Sequence, residues 1–178
     1  MKRLSLLLGL WAALMSASLP LAAAAPASFK AGELHFDRPE SWAWIPTQSP
    51  MRKAQLAVPA ASGEPGEVVF FHFGASNGGG TQANVDRWFS QFEGSRQEIK
   101  ARTEEAKAGA NKVTYVFAEG TYLSGMPGGP RTPKPGFAML GAIVEDSGGF
   151  VFVRFTGPKA TVESGTTAFK KMIAESRR

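Results

Sequence analysis

Cysteine is absent from this 178-residue chain, and histidine and tyrosine occur only twice each. Without cysteine no disulfide can staple the fold, no thiolate can hold a metal, and no acylated residue can anchor the chain as a lipoprotein. With His35 and His72 alone, imidazole chemistry has two candidate residues and lacks the usual spacing of a metal site. Charge of one sign is nowhere concentrated: Lys100, Arg102, Glu104, Glu105 and Lys107 interleave, where a nucleic-acid binder gathers its cations on one face. Past residue 24 no apolar run approaches the ~20 residues that span a bilayer. The G-x-S-x-G pattern, the nucleophile elbow of one large hydrolase class, occurs once, at Gly74-Ala75-Ser76-Asn77-Gly78.

The N-terminus is richer. Lys2 and Arg3 precede an apolar run over 4–14 and an alanine-rich stretch, the n-, h- and cleavage regions of a secretory signal peptide over 1–24. Ala22-Ala23-Ala24 sets a cut before Ala25, and Ala25-Pro26-Ala27 offers one before Ser28. Removing 24 of 178 residues leaves 154, enough for a single core to bury most of its surface. It also takes two cations, so 20 − 2 = 18 basic residues face 15 acidic ones. The expectation is a soluble chain in the periplasm or secreted, with 25–33 a linker and 34–178 one globular domain.

Periodicity predicts short strands over 34–36 and 42–45, with a turn over 37–40 between them, and a half-buried strand over 51–58 with Ala54, Leu56 and Val58 inward. Residues 67–73 (EVVFFHF) are apolar on both faces, which marks a central strand covered on both sides. Val85, Trp88, Phe89 and Phe92 form one helical stripe, with Thr81 as its expected N-cap. The stretch 95–108 has a capping-box start, Ser95 to Glu98, yet no apolar stripe; strand and helix both stay open, and an edge strand is favoured. Strands follow over 112–122, 137–146 and 150–156, separated by a Pro/Gly-rich mobile loop at 123–136 and a tight Ser147-Gly148-Gly149 turn. Val162, Phe169, Met172 and Ile173 line a closing helix. The class is α+β, a mostly antiparallel sheet between two helical layers.

The segments FVFVRFTGP and FKKMIAES close the chain, and VVFFHFGASNGGGTQANVDRWFSQFEG fills its middle. In element order over 34–176 these resemble the PsbP-like α/β/α sandwiches, a superfamily that includes the photosystem II extrinsic protein, a Ran-binding nucleotide-release factor and secreted bacterial proteins of unassigned role. The resemblance implies a fold and an accessory or binding role. It rests on packing patterns and carries no site residue across.

Each candidate site has a structural role to set beside it. Gly74, Gly79 and Thr81 match a phosphate-loop spacing, but Gly80 stands where the lysine belongs, so the loop reads as a flexible strand-to-helix connection. His72 shares a face with Val68 and Phe70 and reads as a sheet histidine with a partner. Ser76 and Ser124 lie in glycine-containing loops, and the adjacent Glu145 and Asp146 point to opposite faces, so neither set forms a catalytic couple. Trp42 and Trp44 share one side of a strand, either as a binding platform or as core; core is favoured because large aromatics are mostly buried. Arg154 interrupts an apolar strand, either recognising an anion or snorkelling at an edge. Met126, Arg131 and Lys134 give the 123–136 loop a contact surface. The chain therefore reads as a monomeric, non-catalytic binding or accessory protein of the bacterial envelope, needing no cofactor or metal, with a protein partner. A small-ligand pocket at Trp42, Trp44 or Arg154, and a histidine-dependent hydrolase, are the alternatives.

Overall fold

Three consecutive alternating segments dictate the centre of the molecule. In the computed structural model, which describes residues 25–74, 78–125 and 129–178, they form β7 (Asn111–Gly125), β8 (Arg131–Asp146) and β9 (Gly149–Pro158). Gly148 donates its N–H to Asp146 Oδ1 at 2.7 Å and so tightens the β8–β9 turn. Before them come β1 (Ser28–Ala31), β2 (Leu34–Asp37), β3 (Ala43–Trp44), β4 (Arg52–Val58), β5 (Gly66–His72), helix α1 (Thr81–Phe89) and β6 (Arg102–Ala108). Helix α2 (Lys159–Ala174) closes the chain.

The main sheet has seven strands in the order β3-β4-β5-β9-β8-β7-β6, and every neighbouring pair is antiparallel. From β5, next to the middle, the chain reaches β6 at the far edge, and α1 lies in that crossover. Alternation then gives the sheet two different faces. On one face Leu56, Phe70, Leu140, Val153 and Phe155 pack with Val162, Phe169, Met172 and Ile173 of α2. The β1–β2 hairpin adds Phe29 and Phe36, whose rings meet Phe70 at 4.8 and 5.0 Å. Phe36, Phe70, Phe155 and Phe169 are wholly buried. Each such ring stabilises the fold by about 2–3 kcal/mol, which is how a chain without disulfides is held together. On the other face Val85, Trp88, Phe89 and Phe92 cover Val116, Ala118, Met139, Ile143 and Phe152.

Several expectations need correction. The linker 25–33 contains β1: Phe29 and Ala31 are buried and pair with β2, because alternate apolar residues find a face to fill. The stretch 123–136 is not one loop. Leu123 pairs with Pro133 and Ser124 with Thr132, extending β7 and β8 as a ribbon beyond the main sheet. Prolines fit there because β9 ends opposite Phe137, which leaves that part of β8 with a single strand partner. Helix α1 starts from Gly80 without a side-chain cap; the Thr81 hydroxyl instead donates to Glu145 Oε1 at 2.7 Å. Residues 95–108 hold the favoured edge strand and no helix. Ser95 and Glu98 exchange the capping-box hydrogen bonds at 2.6 and 3.4 Å around a turn, and β6 follows as a charged edge strand. The α+β class and the mostly antiparallel sheet stand. One face, however, is shared by a helix and a hairpin, and on the other α1 covers only part.

Candidate functional site

Cross-strand register shows where α1 stops. One row across its face runs Gln55, Val69, Arg154, Gly141, Val116, and the next runs Ala57, Glu67, Thr156, Met139, Ala118. Under the helix these rows are apolar or glycine. Beyond it they turn polar, at Gln55, Glu67, Arg154 and Thr156. Gly141 marks the boundary: Trp88 lies so close that a Cβ there would sit 2.6 Å from Trp88 Cε3.

The uncovered half of the face forms the floor of a cleft of about 480 Å³. Arg154, Thr156 and Glu67 lie on the floor, with Tyr122, Lys134 and Phe137 of the β7–β8 ribbon on one side and Arg52 and Glu64 on the other. Glu67 Oε1 accepts from Arg52 Nη1 at 3.1 Å and from Gln55 Nε2 at 2.7 Å. Lys134 Nζ reaches across to Glu64 Oε1 at 2.6 Å and stands 5.0 Å from the Phe137 ring centroid. The Tyr122 and Phe137 rings are stacked, with centroids 6.2 Å apart and planes 8° from parallel.

Arg154 differs from the other cations of the cleft. Its Nη1 donates to Gln91 Oε1 at 2.8 Å, a neutral amide, and no carboxylate among the described residues pairs with it. Its Nε is buried without a partner. Gln91 also accepts from the Tyr122 hydroxyl at 3.4 Å, and its carbonyl accepts from the Leu123 N–H at 2.7 Å. One glutamine just past α1 therefore ties the helix, the ribbon and Arg154 together.

The candidates read from sequence divide accordingly. Arg154 and Lys134 are brought together in the cleft. Arg131 is exposed on the ribbon and donates to the Ser90 carbonyl at 3.3 Å, bracing the ribbon against the end of α1. Met126 lies outside the described residues, as does Ser76. Trp42 and Trp44 do not form a platform. Trp42 is 3% exposed with its ring 5.8 Å from Phe155, and Trp44 is half-buried with its ring 5.5 Å from Phe29, both on the α2 face. Their strand alternation aims them at the core. His72 Nδ1 lies 3.0 Å from the Phe150 carbonyl oxygen, and the His35 backbone pairs with Arg177. Among the described residues no three His, Asp or Glu side chains gather as a metal site. In the glycine loop Gly78 and Gly79 have positive φ, and the Asn84 amide donates to the Gly78 and Gly80 carbonyls at 2.7 and 3.0 Å. Glu145 and Asp146 bond to Thr81 and Gly148 and do not meet each other.

Sequence reasoning missed Arg52, Glu64, Glu67, Gln91, Tyr122, Phe137 and Thr156. Glu67 and Thr156 carried a usable signal, since each is polar at a position in phase with buried neighbours on a central strand.

No family model and no curated protein matches this chain. Among solved structures, the solution structure of cyanobacterial PsbP (CyanoP) from Synechocystis sp. PCC 6803 is similar over 88% of this chain and 96% of that one, at 9% identity and a TM-score of 0.48. That is the group the element order resembles, and no residue role is carried across.

Proposed function

We propose that this chain is an exported, monomeric, non-catalytic binding protein of the bacterial envelope, periplasmic or secreted, that engages its partner through the cleft and the β7–β8 ribbon. The observation that carries this reading is Arg154, a guanidinium that no carboxylate among the described residues pairs, on the floor of an open polar cleft. A purely structural sheet residue at that position would be apolar or ion-paired. The exposed Arg131 and Thr132 lie further along the ribbon that walls the cleft. Export rests on the sequence of residues 1–24, and no helix among the described residues is long and apolar enough to cross a membrane.

A photo-crosslinking residue at Thr132, with Lys107 on the edge strand β6 as control, tests the reading in living cells. The expected result is one defined adduct from Thr132 in the envelope or medium fraction, carried by a chain beginning at Ala25 or Ser28. Equal labelling from Lys107, or a full-length chain confined to the cytoplasm, refutes it.

A further inference from the structure

We infer that the cleft is a site for a single carboxylate carried on an apolar body, with Arg154 as its anchor. The inference rests on the binding-protein reading above and names the chemistry recognised.

Three features select that ligand. A guanidinium has five N–H donors in a planar fork that matches a carboxylate, and Arg154 directs one of them to the neutral Gln91 amide while its Nε has no partner. The Nε is closed to solvent, so an arriving carboxylate takes the Nη donors of the fork that Gln91 leaves open to the cleft. The charge count fixes the ligand's valence: Arg52, Lys134 and Arg154 against Glu64 and Glu67 leave 3 − 2 = 1 positive charge. Both glutamates are already held by Arg52 and Lys134, so a monoanion neutralises the one cation left over, whereas a dianion leaves the cleft with an uncompensated negative charge. The stacked Tyr122 and Phe137 rings supply an apolar wall. Tyr122 and Arg154 donate to the same Gln91 oxygen, which puts wall and anchor within reach of one small group.

The mouth is adjustable. The Lys134–Glu64 pair spans from ribbon to facing loop, its side chains 32% and 52% exposed. An ion pair at that exposure contributes little and can open.

The carboxylate has two sources, a free organic acid or an acidic side chain beside an aromatic one on a partner. Amide NMR of the ¹⁵N-labelled mature chain tests both, with phenylacetate and with an end-blocked Phe-Glu dipeptide. Phenylacetamide and inorganic phosphate serve as controls. Saturable shifts at 122–125, 134–137 and 154–157 with either carboxylate, and weaker binding of both controls, are expected; the tighter of the two carboxylates identifies the source. Arg154→Gln should weaken binding by about tenfold or more, because it removes charge-assisted bonds. Gln91→Glu guards against a folding defect: it places a carboxylate on the Arg154 fork, so it should abolish ligand binding without lowering the melting temperature. Glu64→Gln should tighten binding by removing a like charge.

Equal binding of phenylacetamide, tighter binding of phosphate, or unchanged affinity in Gln91→Glu overturns the inference. The Thr132 crosslink separates the two readings. If it persists while no carboxylate binds, only the ligand chemistry is wrong. If carboxylate binds and no adduct forms, only the partner reading fails.

Discussion

Replacing Gly141 by alanine should push α1 off the sheet, and the size of the effect follows from one ring. A Cβ at residue 141 falls 2.6 Å from Trp88 Cε3 and 3.1 Å from Cη2, inside the ~3.5–4.0 Å at which carbon atoms rest. The ring cannot slide freely, because Trp88 is only 4% exposed and meets Phe152 edge-on, with centroids 6.5 Å apart. Crowding of this kind costs about 1–3 kcal/mol. Removing a glycine from a strand returns about 0.5–1 kcal/mol, since alanine loses less backbone freedom on folding. Contacts under 3 Å put the crowding in the upper half of that range, so the net loss is about 1–2.5 kcal/mol, a fall in Tm of roughly 2–10 °C for a domain of this size.

Urea unfolding followed by far-ultraviolet circular dichroism gives the number without relying on the tryptophan being altered. Trp88→Leu alone should cost roughly 2–3 kcal/mol through the cavity it leaves. With Leu at 88, the added methyl at 141 has room, so Gly141→Ala should then be neutral or stabilising. The cycle should show a coupling of about 1–3 kcal/mol with an unchanged denaturant slope. Strict additivity, or a single Gly141→Ala variant as stable as the parent, would refute the claim that Trp88 on Gly141 fixes the seat of α1.

Two further outcomes concern pH. Burial, and then the Glu104 charge, push the Tyr115 phenol from 10.0 up to about 12. Its folded value is the raised one, so that stability is fully present below pH 10 and is lost as pH rises from 10 toward 12; a Tyr122→Phe variant, in which Tyr115 is the only phenol, should ionise and unfold together in that window, and a Tyr115→Phe chain should resist alkali better. At the other end, hydrogen bonding from Arg177 and then its charge hold the Asp37 carboxyl below its ordinary 3.8. That contribution is present above 3.8 and is lost as pH falls through the lower folded value, so Asp37→Asn at neutral pH should speed amide exchange in the β1–β2 hairpin, and no acceleration there would refute the clamp.

What could be foreseen from sequence was whatever depends on local alternation. The strands of 111–158 carry their own period of two, and the α1 and α2 stripes carry 3.6. Arg154 stood out because a charge broke an apolar strand. Its surroundings did not, because Gln55, Glu67 and Thr156 join it only through register between β4, β5 and β9, up to a hundred residues apart in the chain. Composition misled at 123–136, where four prolines and four glycines suggested a loop and cross-strand pairing made a ribbon. The indole pair misled in the opposite sense: the alternation that put Trp42 and Trp44 on one side aimed that side at the core.

The position of the cleft follows from a mismatch of lengths. Nine residues of α-helix reach about 14 Å, whereas seven strands at ~4.8 Å spacing span about 29 Å. Whatever its direction, α1 cannot cover more than about half of that width. The covered half must be apolar and is: Val116, Ala118, Met139 and Ile143 are all buried there. The other half either faces water or faces a partner. If it faced only water, polar residues of any kind would serve and the two strands opposite each other would pair their charges. Arg52 and Glu67 do so across β4 and β5; Arg154, on β9 one strand nearer the helix, does not. The uncovered half therefore contains one ion pair that completes itself and one guanidinium that no carboxylate among the described residues pairs, the group on which the proposed ligand is anchored.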